Sequence, residues 1–312
     1  MGLYILKRIG SLLVSFFLVS IVIFAMMHSI PGGPFDANEM PLSEQTRARI
    51  MEQYGLDRPL YEQYLRYMWN FIQGDFGVPY QSPGETVTEL LARAWPQSLI
   101  LGGLGVVIGT PLGILLGIAA AIRRNSVLDY TASFVSTLGI TVPIYVISLM
   151  LMLIFGVWLN WLPTNGWGTP VNWILPITAY AIIPIATFAR YTRSSMLEIM
   201  GRPFVTVLRA KGLSEWQVIM KHVLRNAAIP MTTIFFPMFI GIATGTIFVE
   251  KMFRVPGLGN YFVSSIFARD YPMEMALVLL LTLGVGVAYM ITDILYTLLN
   301  PQIRLRDRSR KE

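Results

Sequence analysis

Six apolar runs dictate what this chain of 312 residues can fold into. They lie near 9–30, 98–122, 130–158, 173–190, 229–249 and 275–299. About 20 residues of helix, rising 1.5 Å each, match the ~30 Å hydrocarbon core of a bilayer. The fourth run, at about 18 residues, sits at the short end of that range, and the third is long enough to tilt. Lipid cannot satisfy a bare peptide group, so only helices and closed barrels cross it. A barrel would show alternating segments of about ten residues, whereas these runs are continuously apolar. The expected fold class is all-α, a polytopic membrane protein with six transmembrane helices.

Composition and charge placement agree with lipid as the solvent. Hydrophobic residues make up 54% and charged residues 13%, about half the roughly 25% charge of an ordinary soluble domain. There is no cysteine, which excludes disulfides and thiolate metal sites. Lys7 and Arg8 precede the first apolar run, as in a signal peptide, but no small-x-small cleavage site follows. The chain continues Pro31-Gly32-Gly33-Pro34, and the first run reads as a retained anchor.

With the N-terminus inside, the cytoplasmic segments hold Lys7, Arg8, Arg123 and Arg124. They also hold Arg190, Arg193, Arg202, Arg209, Lys211, Lys221 and Arg225, and the tail Arg304, Arg306, Arg308, Arg310 and Lys311. The outer segments mix bases with acids such as Asp36, Glu39, Glu52, Asp57 and Asp75. This asymmetry places both termini in the cytoplasm. The net charge of +6 is then a topology signal, and no nucleic-acid partner is expected.

Two polar insertions interrupt the spans, giving an expected division into 1–97 (first helix and external insertion), 98–300 (core of five helices) and 301–312 (cytoplasmic tail). In the external insertion, Ser43 is placed to cap a helix through Arg47, Ile50, Met51 and Tyr54, with Gly55 ending it. A second stretch, Leu60 to Ile72, sets Tyr61, Tyr64, Leu65, Met68 and Trp69 at helical spacing. Two readings stand for it: a cap packed on the bundle, or a dock for an extracytoplasmic partner.

The cytoplasmic insertion, about 191–228, is more informative. A short helix before Gly212 can stop there, because glycine accepts a left-handed conformation, and Ser214 can cap the next. That helix is expected to set Trp216, Ile219, Met220 and Val223 on one side. Helix, glycine turn and helix make a basic, partly apolar knob, either a docking element or an amphipathic hairpin lying on lipid.

Here the chain resembles a known family. Arg209-Ala210-Lys211-Gly212-Leu213, with His222-Val223-Leu224, whose leucine falls twelve residues after the glycine, is similar to the cytoplasmic "EAA" loop of ABC importer permeases. It is closest in pattern to the dipeptide, oligopeptide and nickel branch. Further blocks are Gly74-Asp75-Phe76-Gly77, Pro256-Gly257-Leu258-Gly259, Arg269-Asp270-Tyr271-Pro272 and Asn300-Pro301-Gln302-Ile303-Arg304. The long first insertion resembles the B-type permease of the pair. The loop departs from the family pattern at Thr206-Val207-Leu208, where Glu-Ala-Ala gives the motif its name, and at Arg225 in place of proline.

The resemblance implies a type I ABC importer permease fold in the bacterial inner membrane. It implies a homologous second permease, two cytoplasmic ATPases and an extracytoplasmic solute-binding protein. It also implies a coupling loop that carries Arg209, Ala210, Lys211, Gly212, Leu213, Trp216, Ile219, His222 and Leu224. ATP and magnesium would be used by the partner ATPases, with no cofactor bound by this chain.

The residues themselves suit that division of labour. No Gly-x-x-x-x-Gly-Lys-Ser/Thr phosphate cradle occurs, so an enzyme is not expected. His28 and His222 are the only histidines and fall near opposite membrane faces, which disfavours a metal site or a Ser/His/Asp set. Gly105, Gly109, Gly113 and Gly117 recur every four residues and make a smooth face for close helix packing or for sliding. Gly241 and Gly245 are expected to repeat it in the fifth span. Pro111, Pro143, Pro184 and Pro237 are expected to kink helices. Asp293 reads as the one acid inside a span, an ion-pair partner within reach of a base such as Arg190, or a proton relay. A proton-coupled secondary transporter remains the rival class, and an exporter permease the third; the former should show several buried ionisable groups and an inverted repeat.

Overall fold

The computed structural model describes residues 2–30, 49, 51, 52, 54–80, 82, 84–243, 245 and 247–299. Among these residues every regular element is a helix and no strand occurs. The first three are α1 (Gly2–Ser29), α2 (Leu60–Ile72) and α3 (Val87–Ile122). A sharply bent pair follows, α4 (Val127–Thr141) and α5 (Ile144–Trp158). Next come α6 (Ile174–Met200), α7 (Pro203–Ala210), α8 (Glu215–Ala227) and α9 (Ile229–Ala243). The chain closes with α10 (Ile247–Phe253), α11 (Leu258–Ala268) and α12 (Tyr271–Leu299).

Four helical stretches are long and apolar enough to cross a membrane: Leu6–Ser29, Val87–Ile122, Pro170–Met200 and Tyr271–Ile294. Two bent pairs raise the number to as many as six, α4 with α5 at 110° and α8 with α9 at 53°. The third and fifth apolar runs are not single straight helices. In the third run, Val142 is extended (φ −76°, ψ 126°), because Pro143 disfavours helical geometry in the residue before it. In the fifth, α9 has 15 residues, about 22 Å of helix. It ends before Gly245, whose φ of +92° lies outside any right-handed helix.

The chain packs as two units. The first comprises Met1–Gln97 and Gly257–Gly284. There Phe16 and Met27 of α1 are buried with Met68 and Phe71 of α2 and with Met275 and Leu279 of α12. A second cluster joins Val87, Leu90, Leu91 and Ala94 at the start of α3 to Leu258 of α11 and Met273, Ala276 and Leu277 of α12. The position of Ser43 lies outside the described residues, as does most of the helix expected after it. Its end is described, with Met51, Glu52 and Tyr54 helical and Gly55 at φ +67°.

The second unit comprises Ser98–Pro256 and Val285–Glu312. Within it, α3 packs closely on α6. A Cβ at Gly105 would stand 2.5 Å from the Cβ of Tyr180, and one at Gly109 would stand 2.6 Å from the carbonyl oxygen of Ala181. At Gly113 and Gly117 the corresponding distances are 2.6 Å to the carbonyl oxygens of Ile185 and Ala189. The two backbones thus touch along four successive turns, with no room for a side chain.

The pair in the fifth run does not repeat this. A Cβ at Gly241 would meet nothing within 4 Å, and Gly245 lies at the helix break, beside the Glu250 carboxylate. Close contact between α3 and α9 is made instead from the other side. Gly102 of α3 has room for no Cβ, because the carbonyl oxygen of Ile242 would stand 2.5 Å from it.

Candidate functional site

The knob between α6 and α9 is built by three local devices. Pro203 opens α7 at a position where its missing N–H costs no hydrogen bond. At the other end, Gly212 N donates to Arg209 O at 3.0 Å and Leu213 N to Leu208 O at 3.3 Å. These are the two bonds of a Schellman turn, which needs a left-handed residue at its first position beyond the cap. Gly212 provides it at φ +80°. Ser214 then starts α8 with a reciprocal cap: its Oγ accepts from Gln217 N at 3.4 Å, and its own N–H donates to Gln217 Oε1 at 3.2 Å. Across the turn, Arg209 donates from Nε and Nη2 to the two Glu215 oxygens at 2.7 and 3.2 Å. That fork is exposed, so it holds geometry more than it adds stability.

The inner face of the knob is core. Val205, Val218 and Val223 are fully buried with Met196 and Ile199 of α6 and with Ala121, Phe188 and Met231. From Val218 to Val223 the helix widens into a π-turn, whose period of more than four residues brings positions five apart onto one face. The expectation that Trp216, Ile219, Met220 and Val223 lie on one side is corrected here. Ile219 is 8% exposed and belongs to the core, whereas Trp216 is 69% exposed. Leu213, His222 and Leu224 are half-buried, while Arg209, Ala210, Lys211 and Gly212 are exposed. Sequence reasoning missed Phe204 and Val207, apolar and exposed on α7. Their spacing of three, continued to Ala210, marks a second apolar face that a short helix does not need for its own core.

An ion pair between a buried carboxylate and a half-buried base stands on the same α6 that carries the knob. Arg193 donates from Nη2 to Asp129 Oδ2 at 2.8 Å and from Nε to Oδ1, tying α6 to the first turn of α4. Asp129 also accepts from Asn125 N at 3.0 Å. A second buried carboxylate, Glu250 of α10, accepts from the Ser98 hydroxyl at 2.7 Å and from the Tyr180 hydroxyl at 3.3 Å. Asp293, half-buried on α12, is therefore not the one acid in this environment. Glu250 escaped notice because it falls one residue beyond the fifth apolar run, and Asp129 because it starts a helix that reads as following a polar turn. Among the described residues, no group of three His, Cys, Asp or Glu side chains is placed to hold a metal ion.

A multi-pass helical membrane protein with a helix–turn–helix knob between two of its spans defines a class, and comparison with known proteins gives the family. The family described as binding-protein-dependent transport system inner membrane component matches residues 113–305. The N-terminal part of the same membrane component matches residues 1–94. The chain is 40% identical over 302 residues to the dipeptide transport system permease protein DppB of Lactococcus lactis, covering 97% of this chain and 99% of that one. It is 36% identical over 308 residues to DppB of Bacillus subtilis, covering 99% and 100%. With the oligopeptide transport system permease protein OppB of Haemophilus influenzae it shares 37% identity over 303 residues, covering 96% and 99%. Among solved structures, the MetNI methionine ABC transporter in inward-facing conformations aligns with a TM-score of 0.51 and 20% identity, over 68% of this chain and 96% of that one. That likeness extends to the fold alone.

The chain belongs to the binding-protein-dependent transport system inner-membrane component family. It is a permease subunit of an ABC importer, a transport protein of the inner membrane rather than an enzyme.

Proposed function

We propose that this chain forms one half of a translocation pathway for peptides or related small solutes, paired with a homologous permease and driven by two separate cytoplasmic ATPases. The peptide reading rests on relatives named as dipeptide and oligopeptide permeases over nearly their whole length. An extracytoplasmic binding protein delivers the solute, and both chain termini lie in the cytoplasm with the basic residues around the knob. ATP and magnesium are bound by the ATPases; this chain has no phosphate cradle in its sequence.

The observation that carries the coupling role is the division of the knob into two faces. One is locked into the core through Val205, Val218 and Val223. The other presents Phe204, Val207, Lys211 and Trp216 outward. A rigid body with an exposed aromatic at its tip suits a socket in a second protein, where such side chains dominate binding energy. Closure of the ATPase pair would then move the knob, and α6 with it, as one body.

The test is co-purification of the ATPases with knob variants at matched membrane abundance. Trp216→Ala is expected to weaken retention by about 2 kcal/mol, as removal of an interfacial hot spot does. Gly212→Val, which forces a β-branched residue to positive φ, is expected to abolish retention and transport while the chain stays inserted. Ile219→Ala should act instead on the stability of the permease. Full ATPase binding and full transport in both Trp216→Ala and Gly212→Val would leave the knob as an interfacial hairpin and end the coupling role.

A further inference from the structure

Helix α2 faces three different surroundings. One edge packs antiparallel on α1. Gln63 Oε1 lies 3.4 Å from His28 Nε2 and the Tyr64 hydroxyl 2.7 Å from that of Ser20, and the ring of Phe71 is centred 5.7 Å from that of Phe16. From His28 back to Phe16, α1 runs about 18 Å, close to the whole length of α2. Helix α2 therefore lies beside the half of the Leu6–Ser29 span that ends at Ser29. Its polar face, with Gln63, Arg66 and Asn70, borders a cavity of about 390 Å³ within the first unit, which Asp75 reaches from just beyond the helix.

Among the described residues, the third edge has no neighbour. Tyr61, Leu65, Trp69 and Ile72 are 61–70% exposed and form one stripe at helical spacing. Helix α1, against which α2 packs, itself exposes Phe17, Leu18, Ile21, Val22 and Met26. A stripe and a span of this size would not be left in water.

We propose that the Tyr61–Leu65–Trp69–Ile72 edge of α2 is embedded in lipid, in the leaflet around the Ser29 end of α1, and that its occupant is acyl chain rather than a protein partner. Three observations carry this. The stripe lies on a helix packed along one that is long enough to span the membrane and exposes apolar side chains of its own. The polar groups of α2 and of the turn after it have a cavity to face, which is the condition under which polar and non-helical backbone is tolerated at membrane depth. The stripe mixes Trp and Tyr with Leu and Ile, the composition of a helix seated at the membrane boundary. Helix α2 is then a half-inserted element whose cavity wall is held in place by the bilayer, rather than a dock for an extracytoplasmic partner.

The chain has no cysteine, so single spin labels report on chosen positions. Leu65→Cys, Trp69→Cys and Ile72→Cys, with Gln63→Cys and Asn70→Cys as the polar-face controls, are labelled in the assembled importer reconstituted in phospholipid vesicles. Collision rates are measured with oxygen, which partitions into acyl chains, and with water-soluble chromium oxalate. Oxygen collisions are expected to exceed chromium collisions several-fold at 65, 69 and 72, with the order reversed at 63 and 70. Chromium-dominated collisions at the three stripe positions would put the edge in water and overturn the proposal. Shielding from both reagents would also overturn it, assigning the stripe to the partner permease if present from the start or to the binding protein if seen only on its addition. The readout needs no transport, so its failure is separable from failure of the peptide-importer reading.

Discussion

Two glycine pairs in this chain have the same spacing and opposite fates. Gly109 and Gly113 of α3 sit against backbone carbonyls of α6, while Gly241 of α9 faces open space and Gly245 sits at positive φ in a helix break. A repeat every four residues puts glycines on one face of a helix. Whether another backbone arrives at that face depends on a partner elsewhere in the chain. At the contact between α3 and α9 the glycine that admits the neighbour, Gly102, belongs to α3. Spacing identifies a face that could be packed; only the opposing surface decides whether it is.

The comparison predicts substitutions of different size and even of different sign. Gly113→Leu drives a branched side chain into Ile185 and Phe188 and should destabilise the permease by about 3 kcal/mol or more. Low yield and early thermal unfolding of the detergent-solubilised importer would register it; near-normal unfolding would mean that α3 and α6 can separate at little cost. Gly245→Ala should cost about 1–2 kcal/mol for the left-handed backbone alone, with a further loss where its Cβ crowds Glu250, and the same melting curve measures it. Gly241→Ala should be neutral or stabilise by up to about 1 kcal/mol, since alanine is the better helix former and nothing opposes its methyl. A drop in stability there would show that α9 packs on a partner subunit through Gly241.

Local chemistry made the knob readable in advance. The Schellman turn at Gly212 and the cap at Ser214 depend on residues within six positions of one another, so composition and order suffice to place them. The α3 face was readable for the same reason, as a period within one helix. The features that escaped need information from distant parts of the chain or from non-standard backbone. The Asp129–Arg193 pair joins residues 64 apart in sequence, and Arg193 read only as one base among several. Pro143 announced a kink but not a 110° change of direction. Glu250 was hidden by a span boundary drawn from hydropathy, although two hydroxyls from α3 and α6 converge on it. Ile219 was misplaced because its side of α8 is set by packing against α6, which spacing within the loop does not reveal.

The π-turn in α8 has a consequence for how such chains are compared. Between Val218 and Val223 the helix spends one residue more per turn than the α-helical segments on either side. A chain shorter by one residue in this stretch could run as ordinary α-helix and still deliver the positions of Trp216 and Ala227 in nearly the same orientation. A one-residue gap in an alignment here would then mark a change in winding, not a lost segment. Sites on the two sides should be matched separately, by counting forward from the Gly212 turn and backward from α9.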